Sequence, residues 1–114
     1  MLMKVERINT TNFKLVMDVT SRGIWIAVKL ARGACVSLTP KKVLEYAEFS
    51  DMRPVVLTLV GHILKQLGYK GYLHIDNGKN VTRYTICRDS PLWELIKQSG
   101  GPEDVLNFIE KVVE

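Results

Sequence analysis

The chain has 114 residues, 46% of them hydrophobic and 25% charged, which predicts one globular domain whose core needs no metal or disulfide to hold it. It contains no apolar run long enough to cross a bilayer and no visible secretory signal, so we expect a cytoplasmic protein without membrane contact. Residues 1–88 carry 14 Lys and Arg against 6 Asp and Glu, whereas residues 89–114 carry 2 against 6. This asymmetry is typical of a polyanion-binding face, although chance clustering on solvated surfaces produces the same pattern.

Two segments at the start of the chain fit both a helix and a strand. Residues 1–20 contain "FKLVMDV", which alternates like a strand, but the apolar residues there also recur at helical spacing. The segment "RGIWIAVKLAR" (22–32) fits a helix ended by Gly33 and fits a strand equally well. We favour a helix for 22–32 because of the elements that follow it.

The middle of the chain carries clearer local signals. After a short β-prone run at 34–38, Thr39 and Pro40 predict a helix over 39–49, because threonine caps a first turn and proline fits the first helical position. A link of about four residues then leads to a second helix over 53–67, with Gly68 as the residue that ends it.

The stretch "GYLHIDNGKNVTRYTI" predicts a β-hairpin. Asn77-Gly78 suits a tight two-residue turn with positive φ, which joins strands near 71–76 and 79–87 and places Ile75 opposite Asn80. Strand alternation assigns one face to the core and the other to solvent. The core face carries Leu73, Ile75, Tyr84 and Ile86, and the outer face carries Tyr72, His74, Val81, Arg83 and Cys87.

Two further helices are predicted at the end of the chain. Ser90 and Pro91 begin one that ends at Gly100-Gly101, and "PEDVLNFIEKVVE" forms an amphipathic last helix. Its apolar face either packs onto its own domain beside residues 1–20 or forms a homodimer contact, and we favour the dimer slightly. The residues of that face are Val105, Phe108, Ile109 and Val112.

The order of elements over residues 22–88 resembles the winged helix-turn-helix family. "LTPKKVLEYAEF" and "VGHILKQLGYKGYLHIDNGKNVTRYTI" carry the likeness, whereas the turn "SDMRP" lacks the glycine often found there and the first helix is weakly coded. The expected fold class is α+β, with three helices and a small antiparallel sheet. Residues 1–21 form an N-terminal extension and residues 89–114 a C-terminal helical extension.

The resemblance implies that the third helix enters the major groove of double-stranded DNA and that the hairpin, the wing, contacts the backbone. The protein would then be a transcriptional regulator or a DNA-associated accessory factor. The residues expected to bind nucleic acid are Arg53, Thr58, His62, Lys65, Gln66, His74, Asn77, Lys79, Asn80 and Arg83.

Two apolar residues near the start of the third helix favour a different function. Val55 and Leu57 stand where a strong base reader carries polar side chains. The alternative is a winged-helix protein-interaction module, a subunit of a larger complex without direct DNA contact.

No pattern of catalytic, cofactor or metal-binding residues is visible. Cys35, His62, His74 and Cys87 are the residues able to bind a soft metal, and none stands at a short ligand spacing. Phosphate-binding and nucleophile motifs are also missing, so we expect neither an enzyme nor a cofactor.

The two cysteines form a separate case. Proteins of the winged-helix family usually place the first strand beside the last strand of the hairpin. Alternation turns Cys35 outward, because Val36 and Leu38 face the core, and it turns Cys87 outward beside Tyr84 and Ile86. Free thiols are expected in a reducing cytosol, and a cross-strand disulfide is expected if the source is a hyperthermophile. The sequence leaves both open, because it does not fix the stagger of these strands.

Overall fold

The computed structural model describes the backbone of residues 2–113 and the side chains of residues 13–113. Over this range the chain is α+β, with five helices and one three-stranded antiparallel sheet. No helix in this range is both long and apolar enough to span a membrane. The elements are α1 (Leu2–Leu30), β1 (Cys35–Leu38), α2 (Pro40–Tyr46), α3 (Pro54–Tyr69), β2 (His74–Asn77), β3 (Thr82–Cys87), α4 (Pro91–Gln98) and α5 (Glu103–Val113).

Helix α1 resolves the two ambiguous segments into one helix, and the expected boundary between residues 21 and 22 lies inside it. Its buried side chains, among them Val16 and Val28, belong to the main core. Gly23 permits α2 to approach closely, because a Cβ at this position would collide with the backbone carbonyl of Val43. The α1–α2 contact therefore depends on a glycine that the sequence pattern did not single out.

The link between α2 and α3 is longer than predicted. The cap at Thr39 is confirmed, since its Oγ1 accepts a hydrogen bond from the Lys42 N–H at 3.2 Å. The helix ends at Tyr46 rather than at residue 49, because Glu48 adopts a left-handed conformation (φ 57°) and the Phe49 N–H turns back to the Leu44 carbonyl. A glutamate thus occupies the turn position where glycine is usual.

Helix α3 continues to Tyr69, through the glycine that was predicted to end it. Gly68 lies inside the helix, where an added Cβ would collide with the side chain of Ile75 on β2. Gly71, with φ +87°, is the residue that turns the chain out of the helix. Gly68 therefore serves the packing of β2 against α3.

The sheet order is β1-β3-β2, so the first strand pairs with the last strand of the hairpin as expected. The predicted hairpin register is wrong: Ile75 lies opposite Tyr84, and Asn77 lies opposite Thr82. Residues 78–81 form a four-residue loop in which the Gly78 N–H donates to the Val81 carbonyl at 3.1 Å. The shift amounts to an even number of residues, so the predicted strand faces are retained.

A disulfide joins Cys35 and Cys87 on the outer face of the sheet. The two residues are direct partners in the β1–β3 register, and their Cα atoms lie 4.0 Å apart, well within the limit of about 7 Å for a bridge. Of the two alternatives that the sequence left open, the structure has the cross-strand bridge.

The two C-terminal helices close the core from the side of α1. The Trp25 Nε1–H donates to the Ser99 Oγ at 2.8 Å, which ties α1 to the end of α4. The rings of Tyr72 and Phe108 meet edge to face with centroids 4.7 Å apart, which ties α5 to the chain after α3.

The apolar face of α5 is covered within the protomer. Val105 and Ile109 are fully buried, and Phe108 and Val112 pack against the core. Two of the four residues assigned to the homodimer contact are thus buried in their own domain and the other two are partly buried, and the homodimer itself stays a prediction.

Candidate nucleic-acid interface

Helix α3 exposes one row of side chains along its length. They recur at spacings of three and four residues, opposite the buried Val56, Val60 and Ile63, and so lie on one side of the helix. We call this row the α3 ridge. It consists of Val55, Thr58, His62, Lys65 and Tyr69.

A groove of about 500 Å³ runs between the α3 ridge and the hairpin. Thr58, His62 and Lys65 line it on the helix side, and Asn80 lines it on the loop side. The groove therefore brings Asn80, which is distant in sequence, together with three expected binding residues of α3.

The hairpin loop at residues 78–81 presents a second, adjoining hollow of about 260 Å³. Lys79 and Arg83 line it together with Asp76, which is the cross-strand partner of Arg83. The Asp76 carboxylate lowers the net charge of this hollow, although it forms no ion pair with Arg83 among the ion pairs of residues 13–113. Lys79, which is exposed on the loop, has no acidic strand partner of this kind.

Arg53 lies outside the groove, at the start of α3, and is bound by Asp51. Its Nη2 lies 2.8 Å from Asp51 Oδ2, and its Nε lies 2.9 Å from Oδ1. The side-chain hydrogen bonds from Arg53 hold the pKa of Asp51 below its ordinary value. At neutral pH the pair is therefore a neutral unit that offers phosphate little net charge.

Three other expected binding residues also lie outside the groove. Gln66 is half-buried and borders neither hollow. Asn77 closes the hairpin loop by accepting a hydrogen bond from the Thr82 hydroxyl at 3.3 Å. His74 lies on the outer face of the sheet, opposite Thr85, and borders a separate hollow that includes Cys87 and Asp89.

Several residues that shape the groove were not among the expected binding residues. Pro40 of α2 forms one wall, and Thr82 and Tyr84 of β3 contribute to the lining. Thr82 and Tyr84 lie two positions apart on β3 and so share one face of the strand, which alternation alone indicates. Tyr69 lies on the α3 ridge outside the groove lining, and it was not expected either, although it follows Lys65 by four residues and is 72% exposed.

Tyr84 combines a buried ring with a place in the groove lining. The residue is only 2% exposed, and burial of the phenol raises its pKa above the ordinary value. The charge of Tyr69 makes a smaller contribution to the rise in the pKa of Tyr84. A neutral aromatic wall therefore lines the groove below alkaline pH.

Within residues 13–113, no group of three or more His, Cys, Asp or Glu side chains is placed to hold a metal ion, and both cysteine sulfurs are bridged.

The fold and the groove define a small α+β protein with a helix-and-hairpin cleft. Comparisons of this chain with protein-family models, curated proteins and solved structures find no match.

Proposed function

We propose that this protein is a winged helix-turn-helix DNA-binding protein that acts as a transcriptional regulator or DNA-associated accessory factor. The observation that carries the proposal is the groove shared by the α3 ridge and the hairpin, which gathers Thr58, His62, Lys65 and Asn80. The order of helices and strands from α1 to β3, and the sheet order β1-β3-β2, support the winged-helix assignment.

In the proposed complex, α3 lies in the major groove and the hairpin follows the backbone. The 16 residues of α3 form a helix about 24 Å long, and a B-DNA major groove about 12 Å wide admits one such helix. Lys65, Lys79 and Arg83 supply the attraction to phosphate, whereas the charge of Arg53 is offset by its ion pair with Asp51.

A protein-interaction module is the second candidate, and Val55 favours it. This side chain is 50% exposed at the start of the α3 ridge, where a base-reading helix often has a polar residue. On this alternative the ridge contacts another protein, and DNA is not bound.

A salt-dependent titration separates the two candidates. Binding to duplex and single-stranded DNA is measured for the wild type, for Lys65→Ala/Lys79→Ala, and for Lys14→Ala/Lys111→Ala as a control. The control removes two exposed lysines from α1 and α5.

We expect the wild type and the control to bind duplex with a steep salt dependence. The Lys65/Lys79 variant should bind more weakly, with a slope of log K against log salt smaller in magnitude by about 1.8. Failure of the wild type to bind duplex at low salt would favour the protein-interaction module. Equal slopes for the two double variants would remove the groove from the DNA-binding surface.

A further inference from the structure

The α3 ridge has an unusual set of side chains for a surface that reads DNA bases. Val55 is half exposed, whereas Leu57 beside it packs against the core. Thr58 is exposed one turn further along the ridge. The N-terminal half of the ridge thus presents methyl groups from two neighbouring positions.

The polar side chains best suited to reading bases are withdrawn from this part of the ridge. The guanidinium of Arg53 is held by the Asp51 carboxylate, and Gln66 is half-buried off the ridge. His62 and Lys65 remain able to donate hydrogen bonds to purine acceptors. Near the start of the helix, apolar side chains and the Thr58 hydroxyl are therefore the groups available to distinguish one base from another.

We propose that the α3 ridge recognises thymine by its 5-methyl group, through Val55 and the methyl group of Thr58. The thymine methyl is the apolar feature that the major groove presents, and aliphatic side chains contact it. Positions three residues apart are separated by about 4.5 Å along a helix, close to the spacing of about 3.4 Å between bases on one strand. The two side chains therefore face adjacent base pairs.

This inference rests on the proposed function, because it requires α3 to lie in the major groove. The exposure of Val55 favours a protein-interaction module when it is taken alone. On the present inference the same side chain contacts thymine and contributes to the DNA sequence preference. The proposal predicts that removing one methyl group from the DNA weakens binding without changing charge or hydrogen bonding.

The test compares thymine with deoxyuracil, which lacks only the 5-methyl group. A duplex is selected with the wild type from a pool with a randomised centre and then synthesised with thymine or with deoxyuracil. Affinities are measured for the wild type, Val55→Ala and Thr58→Ser. Leu30→Ala is the control, because Leu30 is an exposed apolar residue at the end of α1, away from the ridge.

We expect the wild type and the Leu30 variant to bind the uracil duplex about fourfold more weakly for each contacted methyl group. Val55→Ala should reduce this preference for thymine, and Thr58→Ser should reduce it at a neighbouring base pair. Equal affinity of the wild type for the two duplexes, with binding intact, overturns the inference and leaves the proposed function standing. If the wild type binds no duplex in the pool at low salt, the proposed function fails and the inference fails with it.

Discussion

Cys35 and Cys87 face each other across β1 and β3, with their Cα atoms 4.0 Å apart and their sulfurs bridged. The neighbouring Arg88 N–H donates to the Ala34 carbonyl at 2.9 Å, so the cysteines occupy the adjacent, narrow pair that has no backbone hydrogen bonds of its own. The bridge joins residues 52 positions apart and thereby ties the strand before α2 to the strand before α4.

Removal of this bridge should lower stability substantially. A bridge that closes a loop of this length lowers the conformational entropy of the unfolded chain, which stabilises the fold by about 4 kcal/mol. Cys35→Ser/Cys87→Ser should therefore lower the free energy of unfolding by about that amount. Urea unfolding with and without a dithiol reductant measures the loss, and reductant should not affect the double variant. Ser37→Ala, on the same strand, is the control. A double variant as stable as the wild type would show that the bridge adds nothing to the fold.

Local signals in the sequence predicted several features correctly. The Thr39-Pro40 and Ser90-Pro91 pairs begin α2 and α4, because a side-chain cap and a proline act within a single turn and need no tertiary information. The strand faces were also predicted correctly, since alternation depends only on which side chains the core buries.

Features that depend on contacts between distant segments were not predictable in the same way. The Asn77-Gly78 dipeptide favoured a tight turn, but the strands instead pair Ile75 with Tyr84 against α3, which lengthens the loop. The sequence also did not decide between free thiols and a disulfide, because the stagger of β1 on β3 is fixed by packing rather than by either strand. The extent of α2 depended on Glu48, a residue with no particular signal for left-handed backbone.

The candidate site was predictable where helical periodicity determines it. Thr58, His62 and Lys65 share one side of α3 because of their spacing, whereas the approach of Asn80 depends on how the hairpin folds over that helix. The pairing of Arg53 with Asp51 was visible only as proximity in sequence. Its bidentate geometry, which neutralises the Arg53 charge, became visible only in the structure.

Asp51→Asn should strengthen DNA binding under the proposed function. The substitution frees the Arg53 guanidinium from the ion pair. The asparagine keeps a side-chain oxygen that can accept a hydrogen bond from the Arg53 backbone N–H, which lies 3.2 Å from Asp51 Oδ1 in the wild type. We expect the salt slope to steepen by about 0.9, the contribution of one added phosphate contact. The double variant Asp51→Asn/Arg53→Ala should return to the wild-type slope, and salt titration of a duplex measures all three. An unchanged slope in Asp51→Asn would place Arg53 outside the interface.

Thr20→Val should stabilise the protein. Thr20 is fully buried in α1, and its Oγ1 is the one buried side-chain polar atom without a hydrogen-bond partner within residues 13–113. Valine has nearly the same shape and removes the desolvation cost of the hydroxyl, so we expect a gain of about 1 kcal/mol in chemical denaturation. Ser21→Ala is the control, because the Ser21 hydroxyl donates to the Met17 carbonyl at 2.7 Å and its loss should not stabilise. A less stable Thr20→Val would mean that the hydroxyl is satisfied.

Tyr84 should make the protein sensitive to alkaline pH. Burial, with a smaller contribution from Tyr69, raises the pKa of Tyr84 above its ordinary value of 10.0, so the folded state retains a proton that the unfolded chain releases. Stability from this group is therefore complete below pH 10 and is lost as the pH rises through the higher folded-state pKa. We expect Tyr84→Phe to lose less stability than the wild type above pH 10, measured by thermal unfolding across that range. Tyr69→Phe should lower the pKa of Tyr84 slightly, which the ultraviolet absorbance of phenolate reports. A wild type and a Tyr84→Phe variant with parallel pH profiles would show that the phenol ionises as freely in the fold as in water.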